Sequence, residues 1–173
     1  MIARPSPSSG IGVCAVAVLC TVAFTYGEPR VHTLTLQQEA ARISVPPVIL
    51  FEVHDPRATT EALTGSTTVT FDDAVMGAGR VLRISVKADG DLTRADGAPV
   101  PAAKISWRTS AASNGVGVNG VLSKSVYTQV FQGNAAARSG SVNVTWSIAF
   151  DGTRTRAGSH QVVLRWRIDS IVP

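Results

Sequence analysis

Strict alternation of apolar and polar residues over 142–150 constrains this chain more than any other feature in it. Val142, Val144, Trp146, Ile148 and Phe150 fall on one side; Asn143, Thr145 and Ser147 fall on the other. A period of two places successive side chains on opposite faces of an extended strand, a segregation that a 3.6-residue helix does not produce. The run 162–168 repeats the pattern, with Val162, Leu164, Trp166 and Ile168 together and Arg165 and Arg167 opposite. The intervening residues 151–158 are polar and end in Gly158. The two runs therefore read as an antiparallel hairpin with a long loop.

Shorter runs extend the same reading. Residues 81–87 set Leu82, Ile84 and Val86 against Arg83, Ser85 and Lys87, and 104–109 set Ile105 and Trp107 together with Arg108 opposite. Residues 67–71, 48–53 and 126–131 are further expected strands, 31–36 is a candidate edge strand, and 116–122 adds one interrupted by glycine. Only 36–42 has a helical look, and Pro46 and Pro47 close it. Turn formers separate the runs: Asp55-Pro56, Gly77 and Gly79, Asp89-Gly90, Asp96-Gly97, Asn114-Gly115, Asn119-Gly120 and Gly133-Asn134. About seven to nine short strands at this spacing predict an all-β fold, a single antiparallel sandwich. The chain of 173 residues has room for one such domain.

Residues 1–27 read as a signal peptide and 28–173 as the β-sandwich domain. Arg4 and the free amine precede an uncharged, mostly apolar run at 11–24, and Thr25 and Gly27 flank Tyr26 in a small-x-small pattern. The run is shorter than the roughly 20 residues a spanning helix needs, so a cleaved leader with no stable membrane span in the mature form is expected, an uncleaved anchor being the second reading. Cys14 and Cys20 follow the bulky Val13 and Leu19, unlike a lipoprotein signal, and both leave with the leader. The mature chain then has no disulfide, no thiolate ligand and no thiol nucleophile. Its location is expected to be secreted, periplasmic or at the cell surface.

Motifs that carry chemistry are sparse. Gly115, Gly117 and Gly120 match G-x-G-x-x-G, but β-like residues follow and the next acid after Gly120 is Asp151. A dinucleotide turn needs a helix at that point, so the segment is a glycine-rich loop. His32, His54 and His160 lack ligand spacing. Glu52, His54 and Asp55 sit close together, and a strand end running into an Asp-Pro turn is the favoured reading over a site. Asp89, Asp91 and Asp96 share a loop, yet Thr93 stands where a calcium loop needs a ligand and Arg94 opposes a cation. Turn chemistry accounts for these aspartates. Trp107, Trp146 and Trp166 share the parity of the aliphatic residues in their strands, which predicts core rather than a carbohydrate platform. No catalytic residue, metal site or cofactor is expected.

What faces outward is basic. Of the 16 basic residues 13 are arginine, in a chain of formal net charge +4, interspersed with acids rather than run together; no nucleic-acid partner is expected. Arg83, Lys87, Arg108, Arg165 and Arg167 lie opposite the tryptophan-bearing sides, with Arg154 and Arg156 in the loop before the last run. A hairpin pairing Trp146 with Leu164 would set Thr145 across from Arg165 and Asn143 across from Arg167. Arginine offers forked donors to carboxylates and phosphates, so Arg154, Arg156, Arg165 and Arg167 are the candidate binding residues. Ordinary solvation and edge protection by charge explain the same arginines.

The leader, the cysteine-free mature chain, the short alternating strands and the closing run 156–168 (RAGSHQVVLRWRI) resemble secreted bacterial pilin-like, fimbrial-subunit-like domains. In those domains a loop ending in a small residue and glycine precedes a final alternating strand. The similarity covers chiefly 67–87 and 140–171; the Trp and Arg of the last run depart from the usual Thr/Val-rich form. The resemblance implies an immunoglobulin-like or pilin-like sandwich whose partners include other copies of itself, with 31–36 available as a donor segment. The expected function is an exported, non-enzymatic structural or adhesive surface protein, an appendage subunit if the resemblance holds. The alternative is a secreted binding module for anionic polysaccharide or another envelope polymer. An envelope enzyme stands third, supported only by His54 and its acidic neighbours.

Overall fold

The computed structural model describes residues 39–55, 57–93, 99–150 and 160–173. The leader, the run 31–36, and the loop 151–158 with Arg154 and Arg156 lie outside the described residues. The described chain forms nine strands: β1 (Ala40–Ser44), β2 (Thr60–Val75), β3 (Val81–Ala88), β4 (Ile105–Ser113), β5 (Gly115–Gly117), β6 (Gly120–Val121), β7 (Thr128–Gly133), β8 (Gly140–Ile148) and β9 (Leu164–Ile171). They build two antiparallel sheets, ordered β1-β2-β8-β4-β6 and β5-β7-β3-β9. The fold is an all-β sandwich.

Alternation sends one face of each strand inward. Val69 and Phe71 of β2, Leu82, Ile84 and Val86 of β3, Ile105 and Trp107 of β4, Val130 and Phe131 of β7, and Val142, Val144, Trp146 and Ile148 of β8 are all buried. Phe71 meets Phe131 between the sheets at 5.6 Å between ring centroids. Trp107 and Trp146 face each other on neighbouring strands at 5.3 Å, and Trp146 meets Trp166 edge-on at 6.2 Å. Trp166 is half-buried against this cluster. A large aromatic buries roughly 150–250 Å², so each contributes about 4–6 kcal/mol before the entropy of ordering opposes it.

The expected hairpin is overturned. β8 pairs with β2 and β4, while β9 pairs with β3 in the other sheet. Thr145 lies opposite Arg108 and Ser66, and Arg165 and Arg167 lie opposite Lys87 and Ser85. The two alternating runs meet through their tryptophans across the core instead of through their backbones. Alternation specifies which face is buried but not which strand is the neighbour. The loop between them is long enough to cross from sheet to sheet.

Other segments are redrawn in the same way. The described part of the helical-looking stretch, from Ala40, is strand β1, paired with 70–75 of β2. Its burial alternates, with Ala41 and Ile43 packed toward the core; pairing with β2 overrides a local propensity that about two turns of helix cannot repay. Residues 48–53, an expected strand, form no ladder strand. Ile49, Phe51 and Val53 pack on the core and Leu63 N–H donates to Leu50 C=O at 2.8 Å. The run 116–122 divides into β5 and β6, which belong to different sheets.

Candidate functional site: the outward face of the four-stranded sheet

Two registers define this face. Along β3–β9, Lys87 lies opposite Arg165, Ser85 opposite Arg167, and Arg83 opposite Asp169. Along β3–β7, Ser85 lies opposite Gln129 and Arg83 opposite Gln132. Arg83 and Lys87 of β3 and Arg165, Arg167 and Asp169 of β9 therefore share one side of the sheet, on which Ser85 is buried, while Leu164, Trp166 and Ile168 pack toward the core.

The cations on this surface are held by partners. Asp169 Oδ2 accepts from Arg83 Nε at 3.3 Å, from Arg83 Nη2 at 3.0 Å and from Arg167 Nε at 3.0 Å. Asp89 accepts from Arg165 Nε. The Arg167 guanidinium lies over the Tyr127 ring, its central carbon 4.3 Å from the centroid, and Lys87 Nζ lies 5.2 Å from the same centroid. Hydrogen bonding from Arg165 holds the Asp89 carboxyl below its ordinary range, and the same bond raises the Arg165 guanidinium. Next to this face, Lys124 Nζ reaches Asp91 Oδ2 at 2.6 Å, and that bond, with the backbone N–H of Ala102 at 3.0 Å, lowers the Asp91 carboxyl.

Of the four candidate arginines, Arg165 and Arg167 come together here, and Arg154 and Arg156 lie outside the described residues. Arg108 does not join them. It stands on β4, in the five-stranded sheet, whose outward face is lined with hydroxyl and amide side chains. There Thr68 Oγ1 donates to Asn143 Oδ1 at 2.9 Å, and the Ser106–Ser147 and Ser113–Ser141 hydroxyl pairs stand at 2.9 Å. Parity alone grouped Arg108 with the other arginines, but β4 lies in a different sheet from β3 and β9. Tyr127 and Asp169 were missed. Asp169 was legible, because it has the parity of Arg165 and Arg167 on one strand. Tyr127 was not, since it reaches the face only through the pairing of β3 with β7.

The remaining motifs resolve into packing and turns. An added Cβ at Gly115 would sit 2.2 Å from the Phe131 ring, at Gly117 2.6 Å from Thr109 Cβ, and at Gly120 2.4 Å from the Trp107 ring. The glycine-rich loop thus lets the backbone press against core side chains as it crosses between the sheets. Asp89 and Asp91 turn their oxygens to Arg165, Lys124 and Ala102; Asp96 lies outside the described residues. His54 stands 3.6 Å from Glu52 with its side chain 82% exposed, and Asp55 Oδ1 accepts the Arg57 N–H at 2.8 Å in a turn. Among the described residues no three of His, Cys, Asp and Glu come together as a metal-binding group. A shallow depression of about 330 Å³ is lined by Asp72, Asp73, Ala74, Val75, Arg138 and Ser139. Among the described residues no helix is long and apolar enough to cross a membrane.

No protein-family model, curated protein or solved structure matches the chain. The chemistry of the site therefore rests on its own geometry. A surface of guanidinium, ammonium, carboxylate, amide and phenol groups can bind by hydrogen bonding and charge.

Proposed function

We propose that the chain is an exported, non-enzymatic protein that works by surface contact, as a structural or adhesive component of the cell exterior. The observation that supports this best is that both outward sheet faces are ordered by register into rows of laterally bonded side chains. Thr68–Asn143 and Ser106–Ser147 brace one face, and the Asp169 and Asp89 contacts brace the other. Side chains braced in this way lose less entropy when a partner covers them. Export rests on the leader-like segment 1–27, and the finer reading as an appendage subunit rests on the pilin-like pattern of 67–87 and 140–171.

The test is to express the full chain in a bacterial host and follow both its location and its amino terminus. Mass spectrometry of the exported form should find a start at or within a few residues of Glu28, and removing the gene from its source cell should reduce attachment to surfaces or to other cells. A product kept inside the cell with residues 1–27 attached, or attachment unchanged without the gene, counts against the proposal. Self-assembly by strand exchange would appear as oligomers that grow with protein concentration during refolding.

A further inference from the structure

We infer that the outward face of the four-stranded sheet is a binding site for a carboxylate-bearing polysaccharide, with Arg165 and Arg167 as its paired forks. The inference rests on the reading of the chain as an exported contact protein and names the partner of that contact. Four cations, Arg83, Lys87, Arg165 and Arg167, share the face with two carboxylates, Asp89 and Asp169. The excess is positive.

The decisive detail is how the carboxylates hold the arginines. Asp89 takes Arg165 and Asp169 takes Arg167 through Nε. Among the described residues no acceptor takes the two terminal nitrogens of either guanidinium. The side chains of Arg165 and Arg167 are 60% and 44% exposed. Among the described residues each fork is fixed at its base and open at its tip, the geometry that receives a carboxylate with two parallel hydrogen bonds. Two residues apart on one strand, the backbones that carry the forks stand roughly 6.5 Å from each other. Tyr127 supports Arg167 from the side, and Gln129 and Gln132, joined at 3.4 Å, supply amides along the next strand. Sparse charge with hydrogen-bonding groups between suits a chain of acidic sugars, whose carboxylates are separated by hydroxyls.

Nucleic acid fits less well. Lys87 and Arg167 already occupy the surroundings of the Tyr127 ring, so it is not an open platform for a base. Nor does an excess of two charges match a dense phosphate backbone.

The test measures affinity of the purified exported protein for polygalacturonate, against neutral dextran, dextran sulfate and a single-stranded oligonucleotide, over a range of salt. Binding to polygalacturonate is expected at low salt, weakening as salt rises. Arg165→Gln with Arg167→Gln should lower it at least tenfold, while Arg108→Gln, which removes a cation from the opposite sheet, should leave it unchanged. Asp169→Asn and Asp89→Asn separate a built site from general attraction. Each raises the positive charge, so a merely basic surface would bind more tightly; positioned forks lose their anchors and should bind several-fold more weakly. Melting curves check that each variant is folded, and Asp89→Asn serves if Asp169→Asn is not. Equal or tighter binding by the folded asparagine variants, an Arg108→Gln loss equal to that of the paired substitution, stronger binding of dextran sulfate or the oligonucleotide, or no binding of polygalacturonate at low salt would each overturn the inference. A negative result with export intact removes the ligand and leaves the contact-protein reading standing; retention inside the cell removes that reading whatever the affinity.

Discussion

Trp107 and Trp146 are neighbours with unequal polar accounts. Trp107 Nε1 donates to the Val118 carbonyl at 2.8 Å, whereas Trp146 Nε1 is buried and meets no acceptor among the described residues. Nothing in the structure explains that orphan donor. Removing it should cost little, while removing the Trp107 donor strands a carbonyl. Trp107→Phe is therefore expected to destabilise by about 1–3 kcal/mol more than Trp146→Phe in denaturant unfolding; equal losses would contradict this. Truncating either ring is a different matter, and Trp146→Ala should cost about 3–5 kcal/mol. Backbone geometry makes a second contrast. Gly120→Ala drives a methyl into the Trp107 ring and should cost about 1–3 kcal/mol. Ala136 has φ of 60°, where a Cβ is strained, so Ala136→Gly should be neutral or stabilising by up to about 1 kcal/mol. Thermal melting of the two variants should move in opposite directions or, for Ala136→Gly, not fall.

At the scale of the element, β9 is tied to β3 by charge as well as by backbone. Asp89 extends β3 toward the start of β9: its N–H donates to Val163 C=O at 2.9 Å and its carboxylate takes Arg165. The Asp89 pKa is lowered from 3.8, first by the Arg165 hydrogen bond. A carboxyl with a depressed folded pKa stabilises the fold fully above its unfolded pKa, and that contribution is lost as pH falls through the folded value. Melting temperature should thus be flat from neutral pH to about pH 5 and fall below about pH 4. Asp91, lowered by Lys124 and the Ala102 N–H, acts in the same direction. The variant Asp89→Asn should soften the acid decline without shifting its onset upward; an identical acid limb would show that the β3–β9 contact contributes nothing measurable. Asp89 is exposed and Asp91 half-buried, and the effect belongs to the low end for surface ion pairs.

At the scale of the molecule, the path of the chain explains why its neighbours were misjudged. From β2 onward every consecutive strand lies in the opposite sheet, and only β1 and β2 pair as sequence neighbours. Such a topology closes long loops before its contacts repay them, which slows folding. Refolding by stopped flow should take milliseconds to seconds; completion in microseconds would contradict the cross-sheet path. The sequence by itself determined the strand class and the buried face, because a period of two is local and needs no knowledge of partners. Trp107, Trp146 and Trp166 were legible as interior for that reason, as were Arg165 and Arg167 as outward. Pairing was not legible, since any alternating strand can hydrogen-bond to any other. Only the tertiary structure decided that β8 and β9 face each other across the core, that Arg108 belongs to a different surface, and that Asp89 and Tyr127 reach the arginines. Those choices depend on how two sheets cover each other's apolar faces, a condition that the whole chain satisfies and no segment carries alone.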